Sequence, residues 1–141
     1  MLNARKSGEG RMTARRAYAA ALRLCKQAKS LSLTKAHPDA TLLALCAEYG
    51  LVRRRIDRLS AKSTRTTDGD ERSRIYTELT DAGRVKLLAS LSASATTLDG
   101  HRARAALFLA WDEGELVGRA RRDMMLEDQM LAALLLDLVA H

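Results

Sequence analysis

Apolar residues recur at helical spacing along most of the chain. Two such stripes stand out, one within residues 11–30 and a later one from Leu45 to Leu59. The later stripe advances in steps of four and three residues and passes through Gly50 without a phase break. This stripe predicts one helix to about Lys62, with Gly50 as a tolerated weak point. The stripe within residues 11–30 has the same spacing and predicts another helix; it consists of Ala14, Tyr18, Ala21, Cys25 and Ala28.

Residues that commonly begin helices stand ahead of two apolar segments. Pro38 and Asp39 precede the second stripe, where Pro gives up no hydrogen bond and Asp can accept from unpaired first-turn amides. Thr96 or Thr97 caps a later helix, and Asp99 follows Thr96 at capping-box spacing. Both signals predict where a helix starts.

The middle of the chain has two interpretations. Residues 63–71 are polar and rich in turn-forming residues, which makes them the clearest break in the pattern. After the break, Ile75 and Leu79 fit a helix face that continues towards Leu91. With Thr77 between them, the same two residues fit one side of a short strand. The helix is favoured, and any strand is confined to a short hairpin near residues 64–79.

The most apolar segment is the tail from Arg121 to His141, which follows a predicted loop at "AWDEGE" (110–115). A helix that is apolar on most sides is buried, either in its own domain or against a second copy. We therefore predict a homo-oligomer whose interface is formed by Leu131, Leu134, Leu135 and Leu138. Met125 and Met130 belong to the same apolar segment.

Length and composition favour a helical fold. A chain of 141 residues suits one domain with a real core. Ala and Leu dominate its apolar residues, β-branched and aromatic residues are few, and Pro38 is the single proline. We predict an all-α, single-domain bundle of four or five helices. Its parts are a flexible basic arm (1–10), a basic helical half (11–62), a turn (63–71) and an apolar, acidic helical half (72–141).

The net charge of +7 is concentrated at one end of the chain. Residues 1–30 contain eight Lys and Arg against Glu9 alone, and the remaining residues are balanced. A second basic cluster surrounds Asp57 and consists of Arg53, Arg54, Arg55, Arg58, Lys62 and Arg65. Clustered Lys and Arg bind a phosphate backbone because binding releases counterions, whatever the base sequence.

These charges make nucleic acid, and duplex DNA in particular, the first partner that we predict. The contacts would come from Arg15, Arg16, Arg23 and Lys26, with a second row of Arg53, Arg54 and Arg58. The function would be that of a transcriptional regulator or a mobile-element accessory protein. The alternative is a non-enzymatic interaction or scaffold protein that assembles through the Leu-rich tail. A membrane-surface role ranks last, because the basic helix lacks bulky apolar anchors.

The sequence offers no constellation typical of an enzyme, so we expect no catalytic residue, no metal site and no cofactor. His37, His101 and His141 are far apart and have no carboxylates at metal-ligand spacing. Cys25 and Cys46 are predicted to be reduced, packed thiols, which suits the cytoplasm. No apolar run resembles a signal peptide or is long enough to span a bilayer, so no membrane partner is expected.

Part of the middle region resembles the wing of MarR-family transcription regulators. "IDRLSAK" (56–62) is similar to the end of that family's recognition helix, and "LTDAGR" (79–84) to its step into a dimerisation helix. The resemblance implies a wing that carries Asp70, Arg72 and Arg74, with Arg72 or Arg74 in a narrow minor groove. Where the family has an apolar strand this chain has "STRTT", and "VRRR" leaves too few residues for the recognition unit. These departures favour the helix.

A second resemblance covers more of the chain. The segments "HPDATLLALCAE" (37–48), "ATTLDGHRARA" (95–105), "LAWD" (109–112) and "LEDQMLAALLLDL" (126–138) are similar to a set of small helical bacterial and prophage proteins. The resemblance implies a helical architecture and a mobile-element setting, and it transfers no functional residue. The basic N-terminal helix lies outside it.

Overall fold

The computed structural model describes residues 12–34, 36–61, 69–122 and 125–140. This part of the chain is all-α and contains no strand, which confirms the predicted fold class at that level. The described helices number six rather than four or five: α1 (Ala14–Ser32), α2 (Ala40–Ala61), α3 (Gly69–Ser92), α4 (Leu98–Trp111), α5 (Glu115–Arg122) and α6 (Leu126–Val139). The predicted arm (1–10), Lys62, Arg65 and most of the predicted turn (63–71) lie outside the described residues.

Three helices form the centre of the structure. Each of α1, α2 and α4 packs against the other two, and their facing sides supply most of the buried apolar residues. Helix α3 packs along α2. Helices α5 and α6 pack on each other, and both also contact α1. The additional helix in the count is α5, which begins at Glu115 after a tight turn at 112–114, so the turn is shorter than the predicted loop (110–115).

Helix α1 follows its predicted stripe closely. It begins after Thr13, whose Oγ1 accepts a hydrogen bond from the Arg16 amide at 3.2 Å. Ala21, Cys25 and Ala28 are buried as predicted, whereas Ala14 and Tyr18 are half-buried. Because the buried side chains are small, the backbone of α1 lies close to its neighbours.

Gly50 is the clearest example of this close approach. A Cβ atom at Gly50 would lie 2.7 Å from the Cβ of Cys25, which is closer than a Cβ approaches a non-bonded atom in proteins. The prediction that Gly50 is only a tolerated weak point of its helix is therefore wrong. The absence of a side chain there allows α1 and α2 to meet.

Helix α2 is one continuous helix, as its stripe predicts. Within the stripe Tyr49 and Ile56 are buried, but the most deeply buried side chains are Leu42, Leu43 and Cys46, on a neighbouring side. The reason is that α2 has α1 and α4 on one side and α3 on another, so two of its faces are covered.

Helix α3 resolves the ambiguous segment. Residues 69–92 form one helix, so the strand interpretation of Ile75–Leu79 is wrong, and Arg72 and Arg74 lie on its first turns. Asp70 and Glu71 occupy the first turn, where the helix dipole favours negative charge.

Asp39 lies at the start of α2, as predicted, but its carboxylate binds a different part of the chain. Asp39 is 2 % exposed, and its carboxylate accepts hydrogen bonds from the amides of Thr96 and Thr97 at 2.8–3.1 Å. The hydroxyls of both threonines also donate to it. Asp39 therefore fixes the start of α4 against the start of α2.

The start of α4 is capped by Thr97, whose Oγ1 accepts from the Gly100 amide at 3.1 Å. The capping box predicted from Thr96 and Asp99 is wrong, because Thr96 is turned to Asp39. A Cβ at Gly100 would lie 2.6 Å from the Asp39 carboxyl carbon, so this position requires glycine.

We predict that Gly50→Ala lowers the free energy of unfolding by about 1–3 kcal/mol, because the added methyl meets a backbone-attached carbon and overpacks the α1–α2 contact. The change would appear as a lower urea midpoint in circular dichroism. Gly69→Ala is the matched control, since nothing lies within 4 Å of a Cβ there. An unchanged or higher midpoint for Gly50→Ala would contradict the close approach.

A second prediction concerns pH. The hydrogen bonds that the Asp39 carboxylate accepts hold its pKa well below the ordinary range, and the bond from the Thr97 hydroxyl contributes most. A carboxylate whose pKa is lowered by folding stabilises the protein at pH values above its pKa in the unfolded chain, which is about 4. That stabilisation is lost as the pH falls towards the folded value. Asp39→Asn should therefore lower the Tm by several degrees at pH 7, with a gap to wild type that narrows below about pH 4.

The matched control for this pH series is Asp81→Asn, which changes an exposed carboxylate on α3. It should follow the wild type across the series. Equal Tm values for Asp39→Asn and wild type at pH 7, or a gap that widens in acid, would count against the proposed hydrogen-bond cluster.

Candidate nucleic-acid interface

The outer face of α1 carries only positive charge. Residues 12–34 contain no Asp or Glu. At 100° per residue their basic side chains fall within an arc of about 140°, opposite the buried alanines. All five are exposed: Arg15, Arg16, Arg23, Lys26 and Lys29. Of these, Lys29 is a member that sequence reasoning left out, although its spacing from Lys26 places it on the same face.

These five cations have no acidic partner among the residues that the structure describes. None of them forms an ion pair in the described ranges, whose ion pairs involve other helices. A phosphate that bound there would break no ion pair between described residues. In this respect the outer face of α1 differs from basic residues elsewhere whose charge is already paired with an Asp or a Glu.

The predicted second row borders the first. Helices α1 and α2 lie side by side, and Arg54 reaches across to donate from Nη2 to the Leu22 carbonyl at 3.1 Å. Arg58 is exposed, and its Nε lies 3.4 Å from the Arg54 carbonyl. Arg54 and Arg58 therefore extend the basic surface of α1 onto the neighbouring helix.

Arg53, the remaining member of that row, is held inside the protein. Its guanidinium lies 2.5 Å from Glu113 and 3.6 Å from Asp57, and its side chain is 13 % exposed. Its Nε donates to the Tyr18 hydroxyl at 3.3 Å, and the guanidinium stands over that ring. Burial opposes the charge, yet the hydrogen bonds to Tyr18 and Glu113 outweigh it and raise the pKa of Arg53.

Tyr18 completes this cluster and was seen in the sequence only as an apolar residue. Its hydroxyl donates to Asp57 at 2.6 Å. Burial, followed by this hydrogen bond, raises the pKa of Tyr18 to about 12, so the hydroxyl keeps its proton near neutral pH. The sequence gave one sign of this cluster, Asp57, which is the single acid within a run of arginines. Glu113 gave no such sign, because it comes from the distant turn before α5.

The ring of His37 is held by groups near the starts of α2 and α4. The Asp39 amide donates to Nδ1 of His37 at 3.0 Å, so the neutral ring carries its proton on Nε2, 3.4 Å from Asp99. In the described parts of the chain no three His, Cys, Asp or Glu side chains gather as metal ligands would. His141 lies outside the described residues.

Cys25 and Cys46 are free thiols that are buried against each other, with their Sγ atoms 3.2 Å apart. The hydrogen bond between the thiols, and then burial, raise the pKa of Cys46. A thiol in this state is a poor nucleophile, because the reactive form is the thiolate. The pair therefore acts as packing between α1 and α2.

The predicted oligomer interface divides into two pairs. Leu131 and Leu134 are exposed, whereas Leu135 and Leu138 are half-buried. A cavity of about 280 Å³ beside Phe108 is lined by Leu131, Leu135 and Leu138. Ala132 and Val139 form the buried side of α6. The described residues thus cover α6 on one side only.

Three comparisons with known proteins, against family models, curated proteins and solved structures, find no match. No described helix combines the length and the apolar character that crossing a membrane requires. Proposals about function therefore depend on the surfaces of the molecule itself.

Proposed function

We propose that the protein binds duplex DNA through phosphate contacts from α1, without enzymatic chemistry. The observation that supports this most strongly is the acid-free outer face of α1, whose five cations have no partner within the described chain. Such a face gains affinity by releasing the counterions that surround DNA. Arg54 and Arg58 supply the second row. We leave Arg53 out of the contact set, because Glu113 and Asp57 already neutralise it.

The length of this face suits a duplex. From Arg15 to Lys29 the helix rises about 21 Å, which equals about six base-pair steps of 3.4 Å. A single helix of this diameter also enters the major groove. Phosphate contacts set position and affinity, whereas sequence discrimination requires contacts to base edges. We therefore propose binding that is dominated by the backbone and is sensitive to salt.

The biological setting that we propose follows from the same features. A small basic protein of this kind would act in the cytoplasm as a transcriptional regulator or as an accessory protein of a phage or mobile element. The second role is the one that a resemblance of residues 37–48 and 95–138 to prophage proteins would imply, and the buried free thiols suit a reducing compartment.

Replacing Arg15, Arg16, Arg23 and Lys26 together by Gln should weaken binding to every duplex sequence. Each lost phosphate contact removes about 0.9 from the slope of log affinity against log salt, so the slope should flatten by about three to four. The measurement is an electrophoretic mobility or anisotropy titration at several salt concentrations.

The matched control removes the same charge elsewhere, by replacing four exposed arginines of α3 and α5 with Gln: Arg74, Arg84, Arg121 and Arg122. It should change the slope much less than the α1 variant. A separate change of Arg72 and Arg74 tests the wing interpretation. If the Arg72/Arg74 variant lost binding while the α1 variant kept it, α3 rather than α1 would be the DNA contact.

The second candidate function is assembly through α6. Its outward side exposes Met130, Leu131 and Leu134 next to one another along the helix, and large apolar groups so placed mark protein contacts more often than free surface. We propose that a second copy covers this side. DNA binding and assembly are compatible, since α1 and α6 present different faces.

Leu131→Lys with Leu134→Lys should convert a self-associated wild type into a folded monomer, because both side chains are exposed in the single chain. Light scattering gives the mass, and circular dichroism checks the fold. Leu33→Lys with Leu98→Lys, two leucines exposed on other parts of the surface, is the control and should leave the mass unchanged. A monomeric wild type would end the proposal.

A further inference from the structure

An open groove separates α3 from α4, with α2 as its floor. Its volume is about 700 Å³. Leu88 and Leu91 lie on the α3 side, Phe108 and Trp111 lie on the α4 side, and Tyr49 belongs to the floor. Neither the basic face of α1 nor the outer side of α6 contributes to this groove.

Two contacts determine the shape of the groove. Gly83 brings α3 close to α2, since a Cβ there would lie 3.2 Å from the Tyr49 ring and 3.3 Å from Val52. At the end of α3, Arg104 of α4 donates to the carbonyls of Ser90, at 3.1 Å, and of Ala93. Helix α3 is thus held at its C-terminal end and along α2, which leaves the space beside α4 open.

Large apolar side chains gather at this groove. Tyr76, Leu88, Leu91 and Trp111 all line it, and each is about half exposed or more. Exposed apolar groups that meet in one concave place are typical of a binding surface. Exposed apolar residues that are scattered singly over a surface do not indicate a binding site.

The charge of the groove has one sign. The charged side chains that line it are Arg53, Arg84 and Arg104, and no described Asp or Glu lines it. Arg53 is paired with Glu113, and Arg104 holds the end of α3. Arg84 is exposed and has no ion-pair partner among the described residues, which leaves its charge available to an anion.

The size of the groove suits a small molecule. Ligand pockets typically measure about 300–1,000 Å³ and combine an apolar lining with a few polar groups that fix orientation.

We propose that the groove binds a small amphipathic organic anion, whose apolar body lies between Leu88 and Trp111 and whose carboxylate pairs with Arg84. The ligand class is a fatty acid or a carboxylic acid with an apolar body of similar size. This site is separate from the DNA-binding face, so it stands or falls independently of the proposed function.

Trp111 is the only tryptophan in the chain and lines the groove, so its fluorescence reports binding there directly. The probes are dodecanoate and dodecyltrimethylammonium, which share the alkyl chain and differ in the sign of charge; both are used below micelle-forming concentrations. Dodecanoate should change the Trp111 emission saturably. The ammonium probe should bind at least ten-fold more weakly.

Three variants sharpen the test. Arg84→Glu should weaken dodecanoate binding at least ten-fold and strengthen binding of the ammonium probe. Arg121→Glu changes the net charge equally on another helix and should leave both affinities unchanged. Leu88→Ser with Leu91→Ser should weaken both probes, because it removes apolar lining without touching Arg84.

Three results would overturn the proposal. The first is an absence of saturable Trp111 change with dodecanoate. The second is equal binding of the two probes, or equal effects of Arg84→Glu and Arg121→Glu. The third is a wild-type dimer that Leu88→Ser with Leu91→Ser separates into monomers, since a second copy would then occupy the groove.

Discussion

The carboxylate of Asp39 holds together the beginnings of two central helices. Its oxygens accept from the amides and hydroxyls of Thr96 and Thr97, groups that would otherwise be left unpaired at the start of α4. Because a buried carboxylate is stable only when its hydrogen bonds are satisfied, the first turns of α2 and α4 have little freedom to separate. Gly100 is required beside it, as any side chain would displace the carboxyl group.

The placement of α1 depends on this frame. With α2 and α4 held together, a stripe of alanines and Cys25 packs into their junction, and Gly50 allows the close contact. A helix buried by such small residues exposes its whole opposite side. Five basic side chains lie on that side of α1, so the same geometry that buries one face of the helix displays the other for a polyanion.

Periodicity in the sequence predicted the long helices, with α3 left between two interpretations and α5 missed, but it did not predict what each contact does. The steps of four and three located α1 and α2 correctly, since they reflect which positions face a core. The roles of Gly50 and Asp39 were misjudged because each depends on a residue distant in the chain, Cys25 in one case and Thr97 in the other. The groove beside α3 was likewise invisible, because it arises from how α3 and α4 are spaced.

Neighbouring arginines show the same limit for the candidate interface. Arg53 and Arg54 look equivalent in sequence, yet the first is mostly buried and paired with Glu113, and the second reaches across to α1. A shift of a single position along the helix decides whether a charge is neutralised or displayed. The exposed basic face of α1 could be predicted because it depends on local spacing alone.

The most direct test of the central claim is an NMR titration of ¹⁵N-labelled protein with a short DNA duplex, followed by amide chemical-shift changes residue by residue. We expect the largest changes to map to the outer face of α1, from Arg15 to Lys29, and to extend to Arg54 and Arg58. Amides of α6 should stay unchanged. Changes confined to α3 around Arg72 and Arg74, with α1 unaffected, would contradict the claim.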